Sequence, residues 1–200
     1  MLTQRTRPNV SAMDFERQTI TSAFLGGLAR LEELHFDSCV FQNIDFASFK
    51  FSKTLFTDCR FQGCNLSNLN PTGLRWRSPT FQDCKLVGVN WSRASLFMDA
   101  KFYDCKADLC SFQSLELQNF ACEESSFKDC DFSYAKLNRA TFTNTRLEGT
   151  NFNRADLSGA DFRGAQNYLV HPLETKIKGA KFRLPEALSL LAALDVQVES

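Results

Sequence analysis

Eight cysteines and two histidines are the side chains of this 200-residue sequence best suited to hold a metal or to serve as nucleophile and base. Their spacing argues against both. No Cys-x-x-Cys pair occurs, and Cys39, Cys59, Cys64, Cys84, Cys105, Cys110 and Cys130 recur at multiples of five residues with one slip of a single residue between Cys84 and Cys105. His35 and His171 lie far apart, and the chain has no glycine-rich phosphate loop and no paired metal motif. The expectation is therefore no catalysis, no cofactor and no metal, with the thiols reduced and acting as small buried hydrophobes.

The cysteine spacing belongs to a chain-wide period that is wrong for both a helix and a simple strand. A large centre returns at Leu31, Phe36, Phe41, Phe46, Phe51, Phe56, Phe61, Leu66, Pro71, Trp76, Phe81, Leu86, Trp91 and Leu96. After one extra residue it resumes at Phe102, Ala107, Phe112, Leu117, Cys122, Phe127, Phe132, Leu137, Phe142, Leu147, Phe152, Leu157 and Phe162. The residue two before each centre is small or modestly apolar, and the remaining three are solvent and turn types. Two inward positions in five make a narrow packed core, and a repeat of this kind signifies a solenoid whose coils bury one another.

Blocks such as ATFTN, TNFNR, ADLSG and ADFRG resemble the A(D/N)LXX unit of pentapeptide-repeat proteins. The resemblance implies an all-β fold: a right-handed quadrilateral β-helix, four pentapeptides to the coil, with coils stacked about 4.8 Å apart. The expected organisation is an N-terminal segment over 1–19, the β-helix over 20–183, and a short capping α-helix with a short strand over 184–200. Distortion is expected near 70–80, where NPTGLRWRSP places prolines at inward positions, and a phase break near 96–102, where Phe97 and Met98 fall on positions that would otherwise face solvent. That break reads either as an inward repacking or as a projecting recognition bump.

The opening lacks the apolar core of a signal peptide and no apolar run is long enough to span a bilayer, so the expected location is cytoplasmic and no membrane partner is expected. With 23 basic and 23 acidic residues the net charge is zero, which argues against direct nucleic-acid binding. Nothing suggests a small-molecule substrate. Counting by coils places Asp83, Asp104 and Glu124 at equivalent positions with Glu123 adjacent, where neighbouring carboxylates about 5 Å apart repel by roughly 0.8 kcal/mol in water. Near the end, Leu184, Leu188 and Leu191 form one helical stripe and Ala187, Leu190 and Leu194 another, wider than capping one coil requires.

The Phe- and Cys-rich repeat with its LPEA helix and Val-rich end resembles the gyrase-protecting branch of the family, the Qnr, microcin B17 immunity and albicidin-resistance proteins, the last nearest in length and in lacking long loops. That resemblance implies a homodimer joined through its C-termini that mimics DNA on DNA gyrase and topoisomerase IV and confers resistance to a topoisomerase poison of albicidin, quinolone or microcin type. Candidate topoisomerase contacts are Asp83, Asp104, Glu123, Glu124, Phe97 and Met98; candidate dimer contacts are Leu190, Leu194, Val196 and Val198. A scaffold solenoid with an unrelated protein partner is the alternative. An ice-binding helix is disfavoured by the lack of a flat threonine array.

Overall fold

Four repeats bring the chain back over itself, and the backbone pairs at that interval. The computed structural model describes residues 13–28 and 31–197. On one side β1 (Met13–Glu16), β3 (Leu34–Asp37), β5 (Leu55–Thr57), β7 (Arg75–Arg77) and β9 (Leu96–Met98) form a parallel five-stranded sheet in that order. The next side is a seven-stranded parallel sheet of β2 (Thr19–Ile20), β4 (Val40–Gln42), β6 (Arg60–Gln62), β8 (Thr80–Gln82), β10 (Lys101–Tyr103), β11 (Ala121–Glu123) and β12 (Thr141–Thr143). The other two sides are ladders of single bridges, one through Asp45, Asn65, Lys85, Lys106, Ser126, Arg146 and Gln166, the other through Asn90, Ser111, Asp131 and Asn151. The result is the expected all-β, four-sided parallel solenoid.

The centres stack along the axis. Phe41, Phe61, Phe81 and Phe102 form a column with ring centroids 4.7, 5.1 and 5.0 Å apart, and Phe112, Phe132 and Phe152 another at 4.6 and 5.5 Å. Each buried ring contributes roughly 1.5–3 kcal/mol. At Cys122 the centre shrinks to a thiol, and Phe120, two residues earlier at the usually small position, fills the gap between Phe102 and Phe142 at 5.3 and 6.1 Å.

The motif letters have local causes. The Asp or Asn before each centre turns back on its own backbone: Oδ1 of Asp131, Asn151, Asp156 and Asp161 accepts from the amides of Ser133, Asn153, Ser158 and Arg163 at 2.9–3.1 Å. Cysteine and threonine at the small inward position are donors as well as fillers. The thiols of Cys59, Cys84 and Cys130 reach the carbonyls of Phe36, Phe61 and Ala107 one coil earlier at 3.3, 3.3 and 3.0 Å, and the Thr145 hydroxyl reaches Cys122 at 3.2 Å. Corners take left-handed backbone, which suits Gly, Asn and Asp. At Gly149 the side chain of Asp129 from the preceding coil occupies the space a Cβ would need.

Several expectations change. Pairing begins at Met13, ahead of the boundary at residue 20. The expected distortion is confined to the turn at Pro71, where Thr72 bridges Ala94 antiparallel while the other single bridges among the described residues run parallel. From Arg75 onward the segment is regular, and at the site of Pro79 the equivalent residues Cys39, Cys59 and Ala100 use no backbone N–H among the described residues, so proline loses nothing there. The extra residue precedes Phe97, which is the true centre in place of Leu96; it pairs with Trp76, lies 4.4 Å from Trp91 and is 4% exposed. Phe97 is therefore core and forms no bump. A short helical turn, Glu186–Leu188, runs into a single α-helical turn (Ser189–Ala192), while Asp195 to Gln197 form no strand.

Two substitutions test this packing. Phe61→Ala is expected to lower stability by about 3–5 kcal/mol, and Gly149→Ala by about 1–3 kcal/mol, because left-handed backbone and the Asp129 side chain both oppose a Cβ. Guanidinium unfolding followed by circular dichroism reads both; an unchanged midpoint for either contradicts the packing described.

Candidate interaction surface

The carboxylate column forms as expected. Asp83, Asp104 and Glu124 occupy the same left-handed corner of three successive coils, each donating its amide to the next coil, to Tyr103, Glu123 and Thr143 at 3.0, 3.1 and 3.0 Å. Glu123 projects from β11 beside them, and all four are exposed. No ion pair reaches any of the four among the described residues. The same conformation accounts for Asp83 and Asp104, since Asp tolerates φ near +52° better than most residues, but gives Glu124 no such advantage.

The sequence reading missed the neighbouring side. Lys85, Lys106 and Arg146 share one bridge ladder two residues past the corner, with Lys128 adjacent. A shallow cleft of about 420 Å³, lined by Asp104, Lys106, Asp108, Glu124, Ser126, Lys128 and Arg146 with Cys105 beneath, lies between the two stripes. Lys106 pairs with Asp108 at 3.7 Å and Lys128 with Glu148 at 2.6 Å. The acidic column is thus a narrow stripe beside a basic one, and its field is local. Only the coil arithmetic of two outward positions at once would have revealed this.

Met98 remains half-buried on the outer face of β9. At the C-terminal end the second helical stripe divides, Leu190 inward and Leu194 outward. Leu190 rests against the chain's own core, whereas Leu184, Leu188, Leu191, Leu194 and Val196 are exposed, Leu184 by 69%. Leu190 is half-buried on its own coil; Val198 lies outside the described residues.

One arrangement not foreseen joins Asp14, His35 and Thr57. His35 Nδ1 lies 3.3 Å from Asp14 and Nε2 lies 3.3 Å from the Thr57 hydroxyl. The order matches acid, base and nucleophile. The side chains stand on the open outer face of a sheet, with that of Asp14 72% exposed, so the place lacks the water exclusion on which such chemistry draws. His171 Nδ1 is buried without a hydrogen-bond partner among the described residues. No group of three or more His, Cys, Asp or Glu among those residues is placed to hold a metal ion, and no helix among them is long and apolar enough to cross a membrane.

All eight thiols are buried and unbridged. Burial pushes Cys59 and Cys122 up to about 12, and the adjacent Cys105 thiol together with burial raises Cys84 to about 12. Cys64, Cys84, Cys105, Ser125 and Thr145 line one inward column, in which the Cys64 amide donates to the Cys84 sulfur at 3.4 Å and the Cys105 amide to Ser125 at 3.0 Å.

Known families describe the same repeat. A model of eight pentapeptide repeats matches residues 125–164, and a model of the pentapeptide repeat region matches residues 13–91, together more than half the chain. The chain belongs to the pentapeptide-repeat proteins. Among solved structures it is similar to trypsin-treated QnrB1, a plasmid-mediated fluoroquinolone resistance protein, at 17% identity over 94% of this chain and 100% of that one, with a TM-score of 0.36. It is also similar to HetL, a pentapeptide repeat protein involved in heterocyst differentiation regulation from the cyanobacterium Nostoc sp. strain PCC 7120, at 16% identity over 78% and 88% of the two chains and a TM-score of 0.37. No curated protein matches the sequence significantly.

The thiols make a direct prediction. Cys59, Cys84 and Cys122 contribute no pH dependence to stability well below pH 9; between 9 and about 12 the unfolded chain releases their protons while the fold retains them, so stability falls as pH rises through that window. Iodoacetamide at neutral pH is expected to label none in the native protein and all eight in urea, with no stoichiometric zinc. A reactive native thiol or bound zinc contradicts this.

Proposed function

We propose that this solenoid is a non-enzymatic protein that binds DNA gyrase or topoisomerase IV and relieves a poison of that enzyme. The observation that carries the reading is the stacked column of Asp83, Asp104 and Glu124 with Glu123, exposed and without ion pairs among the described residues, repeated coil by coil along a stiff axis as phosphates repeat along a duplex. The sequence resemblance to the gyrase-protecting branch supports the same partner. A column beside a basic ladder attracts at short range, so the contact is a stripe seated in a basic groove, and Phe97 plays no part in it. Met98 sits one side away, on the five-stranded sheet.

Pairing through the C-terminal end belongs to the same proposal. Leu188, Leu191, Leu194 and Val196 expose apolar surface at one end of the rod, and a second copy covers it in a closed two-fold arrangement.

Replacing Asp83, Asp104 and Glu124 with Lys is expected to weaken binding to purified gyrase about tenfold at low salt and to have a much smaller effect at high salt, because exposed charges are screened. Supercoiling measured with and without a poison reads the protection; wild-type protection by the triple variant contradicts the reading. Leu194→Glu with Val196→Glu is expected to convert a dimer to a folded monomer in sedimentation, and a wild-type monomer at micromolar concentration contradicts the pairing.

A further inference from the structure

The outer face of the five-stranded sheet carries a cationic patch that the topoisomerase reading does not use. The parallel register lays its side chains in two rows along the axis, Asp14, His35, Leu55, Arg75, Leu96 and Glu16, Asp37, Thr57, Arg77, Met98. The acids cluster at the N-terminal end and are engaged locally: Asp14 with His35 at 3.3 Å, Glu16 with Arg17 at 3.5 Å, and Asp37 with the Ser38 hydroxyl at 2.7 Å. Arg75 and Arg77 are exposed, and no carboxylate among the described residues pairs with either. Half-buried Leu55 and Thr57 flank them on one strand, and half-buried Leu96 and Met98 on the other.

We infer that this patch binds an acidic segment of a partner protein in extended conformation, with carboxylates at alternate residues. Two side chains two residues apart on one strand project from the same face about 6.7 Å apart, and alternate side chains of an extended ligand repeat at the same distance. Each guanidinium offers a carboxylate two parallel hydrogen bonds, and arginine set among apolar neighbours is a common centre of binding energy. Asp58 and Asp99 stand on the corner beyond Arg77 and repel a ligand displaced in that direction, which sets its place on the sheet. Phosphates also suit arginine, but the flanking groups are aliphatic rather than the aromatic platforms on which bases stack, and the chain has no net positive charge.

The test is fluorescence anisotropy with a labelled eight-residue peptide alternating Glu and Thr. Its comparators are a peptide of the same composition with the four Glu contiguous and a labelled oligothymidylate of equal charge. Arg75→Gln with Arg77→Gln is expected to weaken binding of the alternating peptide about tenfold, with the melting temperature unchanged because both side chains are exposed. Arg60→Gln with Lys101→Gln, on the seven-stranded sheet, is expected to leave binding within about twofold, as scattered surface charge contributes little. The contiguous peptide and the oligothymidylate are expected to bind more weakly than the alternating one. Absence of binding by the wild type, equal loss in the second variant, equal binding of the contiguous peptide, or tighter binding of the oligothymidylate through the same arginines would each overturn the inference.

Discussion

Every feature of this molecule depends on backbone hydrogen bonds that run from one coil to the next at an interval of about twenty residues. Because the amide of Leu66 must meet the carbonyl of Lys85 and that of Leu86 the carbonyl of Lys106, each outward residue has a fixed neighbour one coil above and below. Side chains of like position therefore stack whether or not they attract. Phenylalanines gain from it, since parallel rings such as Phe112 and Phe132 sit at van der Waals distance. Carboxylates such as Asp83 and Asp104 lose by it, at a cost that water keeps small.

This constraint separates what holds the fold from what the surface can do. The inward pair of positions tolerates an exchange of sizes, as Phe120 and Cys122 show, provided the coil stays full. The outward positions are bound by no such volume rule, so a charge pattern can vary from side to side: a carboxylate corner, a lysine and arginine ladder beside it, and an arginine pair set among aliphatic side chains on another side. The ends differ again. A solenoid terminates with its last core layer uncovered, and here half-buried Leu190 packs against the core while the rest of the apolar helix faces outward.

Much of this was legible in the residues. The period of five named nearly every buried side chain, the cysteine column and the equivalence of Asp83, Asp104 and Glu124, because in a solenoid contact order along the axis is only coil arithmetic. It failed where arithmetic is ambiguous. A single inserted residue can be absorbed anywhere in one coil, and the reading that placed Leu96 inward and Phe97 outward reversed the two; burial of the larger ring beside Trp91 decides it. Proline at Pro79 looked disruptive because propensity treats each amide as needed, whereas the ladder leaves the amide at that position idle among the described residues; at Pro71 it does cost a bond, since Trp91 and Phe112 at the same position of later coils donate their amides to Ser111 and Asp131.

By itself, then, the sequence determined the solenoid, its core, the lack of ligand spacing among the thiols and the column of acids, since all of these follow from periodicity. Only the tertiary structure decided which neighbours those residues acquire across a corner: the basic ladder beside the acidic column, His35 between Asp14 and Thr57, Arg75 and Arg77 with no carboxylate partner among the described residues, and the division of the C-terminal leucines into half-buried Leu190 and an exposed stripe. The physical reason is that periodicity specifies direction, inward or outward, while pairing depends on distances between side chains on different coils and sides, which come into being only when the chain is wound.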